Sequence, residues 1–436
     1  MTKTPEFPPL VIVYRPIGEI KEYDRNPRLH PKAQLKKLEG SIRTRGYLNP
    51  ILVDEDGVII AGHARYKVAL KLGMSHIPAI ALAHLSEAQK RAYRIADNKI
   101  QESGTWNSAL LLEEVEFILA SDDVIDLEDS GFEVAEIDLL MGHGGKADAD
   151  AKVESVPPPD RSRPATAKPG DLWMIGDHRV YCGTSLEEAS LNALMRGRKA
   201  HAIVTDMPWN VPIKGHVSGL GKIQHAEFEM GTGELSREEF RDMIRRSFEL
   251  QAAFAHPGAL HYQFIDWRSV ADMIHVGEEV HDALINLAVW VKPNGGMGSF
   301  LRSRHELCCI FRGKGGRHRN NVELGKHGRY RTNIWEYPAP SGFGSERDNL
   351  AFHPTCKNQA MIADAIMDCT KQGDIVLDPY LGSGTTLLAA ASCGRIGFGI
   401  EIDPYYVDVA LKRLHEQTGM EPRLVSSAFL PSNTEG

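Results

Sequence analysis

The chain has 436 residues, a formal net charge of −8 and an apolar fraction of 42%. This length is typical of two or three domains, and this composition supplies ordinary globular cores. The apolar runs are shorter than the ~20 residues that cross a bilayer, and residues 1–9 lack the apolar core of a signal peptide, so we expect a cytoplasmic protein.

The charge is unevenly distributed along this acidic chain. Residues 113–138 contain eleven Asp and Glu and no Lys or Arg, whereas residues 312–331 contain seven Lys and Arg and one acid, Glu323. Such asymmetry is compatible with local nucleic-acid contact by an acidic protein. Six cysteines without metal-ligand spacing predict reduced thiols and no metal site.

The first segment of the chain has the pattern of a small mixed α/β unit. Short apolar runs predict strands, and amphipathic stretches bounded by Pro and Gly predict helices. The predicted strands are 11–14, 50–53 and 58–61, and the predicted helices are 31–44 and 62–72. A further helix is expected over 86–102, a solvated helix pair over 113–138, and a Pro-rich linker over 142–168.

Residues 62–69 carry a resemblance to a known family. Gly62, Arg65 and Ala69 follow a strand and keep a loose version of the spacing of G-E-R-R-x-x-A, the signature of ParB-like and sulfiredoxin-like domains, and His63 stands in place of the acid. The resemblance implies that Gly62 and Arg65 bind a nucleotide or DNA phosphate. An arginine on a solvated helix face is the alternative that the residues leave open.

A second α/β unit is predicted from about residue 170. A hairpin is expected from 172–175 and 179–182, and a buried strand over 202–205 delivers Asp206 at its carboxyl end, where α/β sheets bind ligands. Further core strands are predicted over 260–266, 288–291 and 302–311, and residues 211–235 are expected to form a mobile active-site loop.

A glycine loop near the C-terminus follows the predicted strand 375–377. Gly382 and Gly384 permit a tight turn into a helix, and Glu401 lies 19 positions after Gly382, a spacing at which a carboxylate can hold ribose hydroxyls. A dinucleotide motif would need Gly at 387, where Leu stands, and a P-loop would need Lys after Gly384. S-adenosylmethionine fits this pattern, and a simple structural turn is the competing interpretation.

Three ordered motifs resemble the amino-group DNA methyltransferases of the permuted type. They are Asp206-Met207-Pro208-Trp209, His353-Pro354-Thr355-Cys356-Lys357-Asn358 and the stretch from Asp378 to Thr386. The resemblance implies a doubly wound α/β methyltransferase sheet. The implied cofactor-binding residues are Asp378, Pro379, Gly382, Gly384, Thr385, Glu401 and Asp403, with His353, Thr355 and Lys357. The chain departs from the family pattern at Met207, Asn358 and Thr184.

The chemistry of amino-group methylation suits the first motif. The lone pair of an exocyclic amino group is delocalised into the base, so the enzyme must accept hydrogen bonds from that group. Asp206 and the carbonyls of Met207 and Pro208 are acceptors, and Trp209 offers a face for a flipped base. Within the resemblance, Asp at 206 accompanies adenine and predicts N6 methylation.

Target recognition is predicted between the two halves of the fold, near 312–350. The candidate DNA contacts are Arg312, Arg317, Arg319, Lys326, Arg329 and Arg331. Expected partners are double-stranded DNA and a nucleotide at the N-terminal domain, with no membrane partner; a homodimer and an associated restriction endonuclease are left open.

The domains are expected over residues 1–105 (ParB/sulfiredoxin-like), 106–141 (acidic helical extension), 142–168 (linker), 169–424 (methyltransferase) and 425–436 (tail). One competing function is a nucleotide-responsive DNA-binding protein whose methyltransferase domain has degenerated. Methylation of cytosine N4 or of RNA is another.

Overall fold

The computed structural model describes residues 9–101, 106–121, 125–141, 159–210, 235–292, 300–322, 331–338 and 357–427. The chain divides into two compact units, Met1–Met141 and Gly142–Gly436. No helix within these ranges is both long enough and apolar enough to cross a membrane. The cysteines within these ranges are free and buried.

The N-terminal unit contains a small mixed sheet in the order β1-β4-β2-β3. Strand β4 is parallel to β2, and the β1–β4 and β2–β3 pairs are antiparallel. The strands are β1 (Ile12–Pro16), β2 (Ile51–Val53), β3 (Ile59–Ala61) and β4 (His76–Ala81), and the helices packed with them are α1 (Lys32–Arg45), α2 (His63–Lys71) and α3 (Glu87–Gln101). Strand β4 was not predicted, although it lies between β1 and β2.

The acidic stretch forms helices α4 (Ser108–Ala120) and α5 (Val134–Leu140). Val115, Leu127 and Ile137 are buried together and form a small apolar cluster. The carboxylates that dominate the composition lie around these apolar positions, as expected for amphipathic helices.

The C-terminal unit contains a sheet whose described strands have the order β11-β9-β10-β8-β7-β12-β13-β6-β5-β14. The central strands β8, β7, β12, β13 and β6 are parallel, and β10 runs antiparallel to both β8 and β9. The strands are β5 (Leu172–Ile175), β6 (His178–Cys182), β7 (Ala200–Thr205), β8 (Ala255–Ile265), β9 (Ala283–Val291), β10 (His305–Arg312), β11 (Ile334–Glu336), β12 (Ile375–Asp378), β13 (Ile396–Glu401) and β14 (Arg423–Ser426).

The helices of this unit account for the continuous apolar character of the central strands. The described helices are α6 (Glu188–Met195), α7 (Arg237–Ala253), α8 (Val270–Val280), α9 (Gln359–Met367), α10 (Thr385–Ser392) and α11 (Pro404–Thr418). Ile375, Val376 and Leu377 are each at most 2% exposed, because parallel strands are covered on both faces.

The parallel direction of β7, β12 and β13 brings three sequence-distant segments to one edge of the sheet. We call this edge, where β7 ends at Thr205, β12 at Asp378 and β13 at Glu401, the carboxyl edge. Ligands bind at this edge in open α/β sheets. The fold therefore places Asp206, the glycine loop and Glu401 around one site.

Candidate active site

Asp206 is held by two donors at the carboxyl edge. Its Oδ1 accepts a hydrogen bond of 2.9 Å from the Trp209 indole N–H, and its Oδ2 forms an ion pair with Lys357. The Lys357 ammonium also lies 3.1 Å from Glu306 Oε2, and Glu306 pairs in turn with Lys292. Four groups of alternating charge thus converge beside Trp209.

Burial and pairing set the protonation of this cluster. Burial raises the pKa of Asp206 above its ordinary value, against the opposing effect of Lys357. Burial alone would lower the pKa of Lys357, but the charges of Asp206 and Glu306 raise it above its ordinary value. Burial would raise the pKa of Glu306, and the charges of Lys357 and Lys292 lower it. Lys357 therefore remains protonated in this site.

The motif resemblance predicts that Lys357 contacts the cofactor, whereas in the structure its contacts include two carboxylates. Its side chain is 7% exposed, and its ammonium lies between the carboxylates of Asp206 and Glu306. Contact of Lys357 with the cofactor stays a prediction. Glu306 and Lys292 were missed by sequence reasoning, because they lie on and beside strands without a motif. A buried acid within an otherwise apolar strand, His305–Arg312, is the signal that could have identified Glu306.

The three departures from the family pattern have local structural roles. Met207 is 1% exposed and packs in an apolar cluster with Phe240 and Ile265. Asn358 caps α9 by accepting a 3.0 Å hydrogen bond from Met361 N. Thr184 Oγ1 accepts a 3.3 Å hydrogen bond from Leu186 N. Each of these three residues thus has a packing or hydrogen-bonding partner in the fold.

The glycine loop is fixed to Glu401. Oε2 of Glu401 accepts a 2.8 Å hydrogen bond from Gly382 N, and Oε1 accepts one of 2.8 Å from Asp403 N. Gly384 has φ +88°, and a Cβ there would lie 2.8 Å from that of Ala410 in α11. Only glycine therefore permits both this turn and this helix packing.

The loop leaves room for a ligand above this carboxylate. A Cβ on Gly382 would meet nothing within 4 Å, and Glu401 is half-buried. Burial raises the pKa of Glu401 to about 7, against hydrogen bonds from the backbone of Asp403 and Gly382. A carboxylate beside open space at a glycine loop can accept hydrogen bonds from ribose hydroxyls, so these residues fit S-adenosylmethionine.

Asp378 supports the site from within the fold. Its Oδ1 accepts hydrogen bonds from Thr205 Oγ1 at 2.6 Å and from Tyr380 N at 3.1 Å, and its Oδ2 accepts one from Thr386 Oγ1 at 2.6 Å. Burial raises the pKa of Asp378 to about 6, which these hydrogen bonds oppose. Its carboxylate is therefore engaged inside the protein, and Pro379, which follows it, is buried.

Asp403 and Thr385 also have structural partners. Asp403 Oδ1 accepts a 3.0 Å hydrogen bond from Tyr405 N as the cap of α11, and Oδ2 pairs with Arg161. Thr385 begins α10 and lies 3.5 Å from the buried guanidinium of Arg413, which donates to Ser383 O at 2.6 Å. Arg413 was not predicted and fixes the loop from below.

The predicted DNA contacts before residue 323 lie away from Asp206. Strand β10 is antiparallel to β8, so it begins at the carboxyl edge, near Glu306, and runs away from it. At about 3.3 Å per residue, Arg312 at its end lies roughly 20 Å from Glu306. The Arg317 carbonyl lies at the start of β8, beside Gly258, and the charge of Arg319 acts on His201 at the start of β7. The antiparallel strand therefore removes this basic stretch from the active-site edge.

Arg331 is engaged inside the protein rather than presented to DNA. Its guanidinium pairs with Asp364 at 3.2 Å and Asp368 at 3.0 Å and donates to the hydroxyl of Tyr337 at 2.6 Å. Arg312 pairs with Asp282. Lys326, Arg329, His353 and Thr355 lie outside the described residues, as does the expected loop over 211–235 except for its last residue, Leu235.

The residues of the predicted anion site of the N-terminal unit lie at the start of α2. Gly62 caps this helix with φ +105°, and a Cβ there would lie 2.7 Å from Ile51. Arg65 Nη2 donates to Pro50 O at 3.4 Å, while its buried Nε has no hydrogen-bond partner among the described residues. Burial lowers the pKa of His63 to about 4, so this residue does not replace the charge of the missing acid.

Comparison with known families identifies both units. Residues 200–412 match the DNA methylase family, and residues 11–99 match the ParB N-terminal domain. The chain therefore belongs to the ParB-like family in its N-terminal unit and carries a DNA methyltransferase domain of the amino-group class in its C-terminal unit. These matches confirm the predicted resemblance, fold class and enzyme class.

The relatives divide in the same way. The ParB-like nuclease domain-containing protein YnaK of Escherichia coli is 45% identical over 82 residues, which are 19% of this chain and 94% of that protein. The DNA adenine methyltransferase YhdJ of Escherichia coli is 40% identical over 82 residues, 19% of this chain and 27% of that protein. The M1.HpyAVI–SAM complex is 23% identical, with a TM-score of 0.40, covering 54% of this chain and 98% of that one.

The pairing of Asp206 with Lys357 can be tested by a double-mutant cycle. Lys357→Met leaves two buried carboxylates without this cation, so we expect the free energy of unfolding to fall by about 3–5 kcal/mol. Adding Asp206→Asn removes one of the stranded charges and should cost less than the sum of the single changes.

Denaturant unfolding of the full chain measures the cycle. Lys412→Met is the matched control, because this lysine is 74% exposed and should change stability by no more than about 0.5 kcal/mol. Additive effects of Lys357→Met and Asp206→Asn would show that the two groups are not coupled.

Proposed function

We propose that the whole chain is a DNA methyltransferase that moves a methyl group from S-adenosylmethionine to the N6 amino group of adenine in duplex DNA. The observation that carries this proposal is the meeting of Asp206, Trp209 and the Glu401-bound glycine loop at one edge of the sheet. The DNA methylase match over residues 200–412 supports the same chemistry.

The cofactor, when bound, supplies an activated methyl group on a sulfonium. Glu401 would hold the ribose hydroxyls, and the backbone of Gly382 would lie against the ligand, since a Cβ there would meet open space. Asp378 keeps the loop in place through Thr205 and Thr386. Asp378 would therefore position the loop rather than contact the cofactor directly.

Asp206 would accept a hydrogen bond from the exocyclic amino group of the target base. The two carboxylate oxygens are already aimed by Trp209 and Lys357, so little ordering remains to be done when the base enters. Lys357 opposes the rise that burial causes in the pKa of Asp206 and so favours the ionised, accepting form. Trp209 is half-buried and offers its face for stacking of the flipped base.

Two features favour an active enzyme that acts on adenine. Met207 and Asn358 have packing and capping roles, which speaks against a degenerate domain. Asp at position 206, within the family resemblance, accompanies adenine rather than N4-cytosine, and a purine covers more of the Trp209 ring than a pyrimidine does. YhdJ is named as an adenine methyltransferase.

The reaction is tested by mass spectrometry of nucleosides from DNA of cells that express the chain. We expect N6-methyladenine with the wild type and a loss of roughly 100-fold or more with Asp206→Asn, since one preorganised polar contact is worth about that much. S-adenosylmethionine binding should persist in this variant. Asp242→Asn, 69% exposed, is the control. N4-methylcytosine, or no methylated base, would contradict the proposal.

The assignment of Glu401 predicts a pH-dependent cofactor affinity. Its pKa of about 7 in the free protein means that the carboxyl protonates as pH falls from 8 to 6. The ionised form accepts ribose hydroxyls better, so affinity should fall with pH, approaching tenfold per unit below the pKa.

Calorimetric titration with S-adenosylmethionine measures this affinity between pH 6 and pH 8. Glu401→Gln should weaken binding and remove the part of the pH dependence that belongs to this carboxyl. Glu416→Gln, 60% exposed on α11, should behave as the wild type. Equal pH profiles for Glu401→Gln and the wild type would refute the ribose assignment.

We further propose that the N-terminal unit binds a nucleotide or a DNA phosphate through Gly62 and Arg65. The observation that favours this is the buried Arg65 Nε, which has no hydrogen-bond partner among the described residues, beside the helix N-terminus of α2. The match to the ParB N-terminal domain supports an anion-binding role.

Titration of the full chain with each nucleoside triphosphate and with duplex DNA, at saturating S-adenosylmethionine, tests this site. Arg65→Gln should lower the affinity for the anion by roughly 10- to 100-fold, the contribution of a hydrogen bond to a charged group. Arg91→Gln, exposed on α3, should leave it unchanged. An equal loss in both variants, or a wild type that binds neither a nucleotide nor duplex DNA, would overturn the site.

A further inference from the structure

Exposed apolar and basic side chains follow β8 and precede β10 in the chain. Strand β8 reaches this edge at Ile265, which pairs with Leu307 near the start of β10. The residues that follow β8 and precede β10 therefore start from the same edge as Asp206. We call the following six residues the edge patch: Trp267, Arg268, Phe300, Leu301, Arg302 and Arg304.

The apolar members of the edge patch are unusually exposed. Phe300 is 93% exposed, Leu301 78% and Trp267 51%. Large apolar side chains grouped next to a binding site mark a surface that another molecule covers.

The charged members of the edge patch favour an anionic partner. Arg302 and Arg304 are exposed, and Arg304 Nε donates to Lys292 O at 3.0 Å. Arg268 lies 4.7 Å from the centre of the Trp267 ring and also pairs with Asp266 at 3.1 Å. Arginines interleaved with aromatic and aliphatic groups are suited to phosphates and bases together.

The edge patch is connected to the proposed catalytic residues on two sides. The hydroxyl of Ser269, in the turn after Arg268, donates to Trp209 O at 3.2 Å. On the other side, Arg304 donates a hydrogen bond to the carbonyl of Lys292. The ammonium of Lys292 pairs with Glu306, which also pairs with Lys357. A polymer bound at this patch would thus lie next to Asp206.

We propose that the edge patch holds the duplex around the target base. This inference rests on the proposed function. Arg302 and Arg304 contact backbone phosphates, while Phe300 and Leu301 enter the space that the flipped base vacates. Apolar side chains serve as wedges of this kind where proteins unstack DNA. The basic stretch at Arg317 and Arg319, at the opposite edge, takes no part in holding the target site.

The salt dependence of DNA binding shows which of the two edges of the sheet contacts DNA phosphates. Binding of the full chain to a 30-base-pair mixed-sequence duplex is measured at several salt concentrations. Removing two phosphate contacts by Arg302→Gln/Arg304→Gln should reduce the slope of log affinity against log salt by about 1.8. The matched control Arg317→Gln/Arg319→Gln removes the same charge and should leave the slope unchanged.

The wedge is tested through methyl incorporation into genomic DNA. Phe300→Ala/Leu301→Ala should retain the wild-type salt slope and lower kcat/KM roughly tenfold or more, since stacking of one base is worth about 1–3 kcal/mol. Cofactor affinity, measured by calorimetry, should stay constant in every variant.

Each alternative outcome has a definite meaning. A slope that falls with Arg317→Gln/Arg319→Gln and not with Arg302→Gln/Arg304→Gln would overturn the edge patch and leave the proposed function intact. Unchanged DNA binding and methyl transfer in all edge-patch variants would assign the apolar residues to a protein partner instead. A wild-type chain that binds S-adenosylmethionine but not DNA would overturn both proposals.

Discussion

The site depends on the hydrogen bonds that the buried carboxylate of Asp378 accepts. This carboxylate accepts hydrogen bonds from Thr205, at the end of β7, and from Thr386, in the first turn of α10. The strand that delivers Asp206 and the glycine loop are thereby joined through one side chain. A buried carboxylate with several donors has a well-defined geometry, because losing any donor would leave a polar group unsatisfied.

Charge compensation provides the second constraint at this edge. Asp206 follows β7 and Glu306 lies on β10, the two strands that flank β8. Two carboxylates in a buried site would repel each other. Lys357 lies between them and Lys292 neutralises the far side of Glu306. The free energy of this cluster therefore depends on all four groups, and the proposed acceptor is held ready before any base arrives.

Strand direction decides which surface faces a partner. The basic residues 312–319 are conspicuous in the sequence, but β10 runs antiparallel to β8 and carries them to the opposite edge. The edge patch has a weaker sequence signal, since Trp267 and Phe300 are separated by more than thirty residues. Proximity to Asp206 comes from the pairing of β8 with β10, which local patterns do not reveal.

The sequence by itself determined the elements with strong local signals. The apolar run at 375–377 and the following glycines fixed a strand, a turn and a helix, because residue type alone limits the backbone there. The order of three motifs fixed the fold class and enzyme class. The spacing of Glu401 from Gly382 placed both at one site, where a hydrogen bond joins them.

Only the tertiary structure decided the partners of each charged group. It assigned Lys357 to Asp206 and Glu306, turned Asp378 inward and paired Arg331 with Asp364 and Asp368. Ion pairs and buried hydrogen bonds join residues from separate elements, so their partners depend on strand order and direction. The residue type determines whether a side chain is charged, but the function of that charge depends on the groups that the fold places next to it.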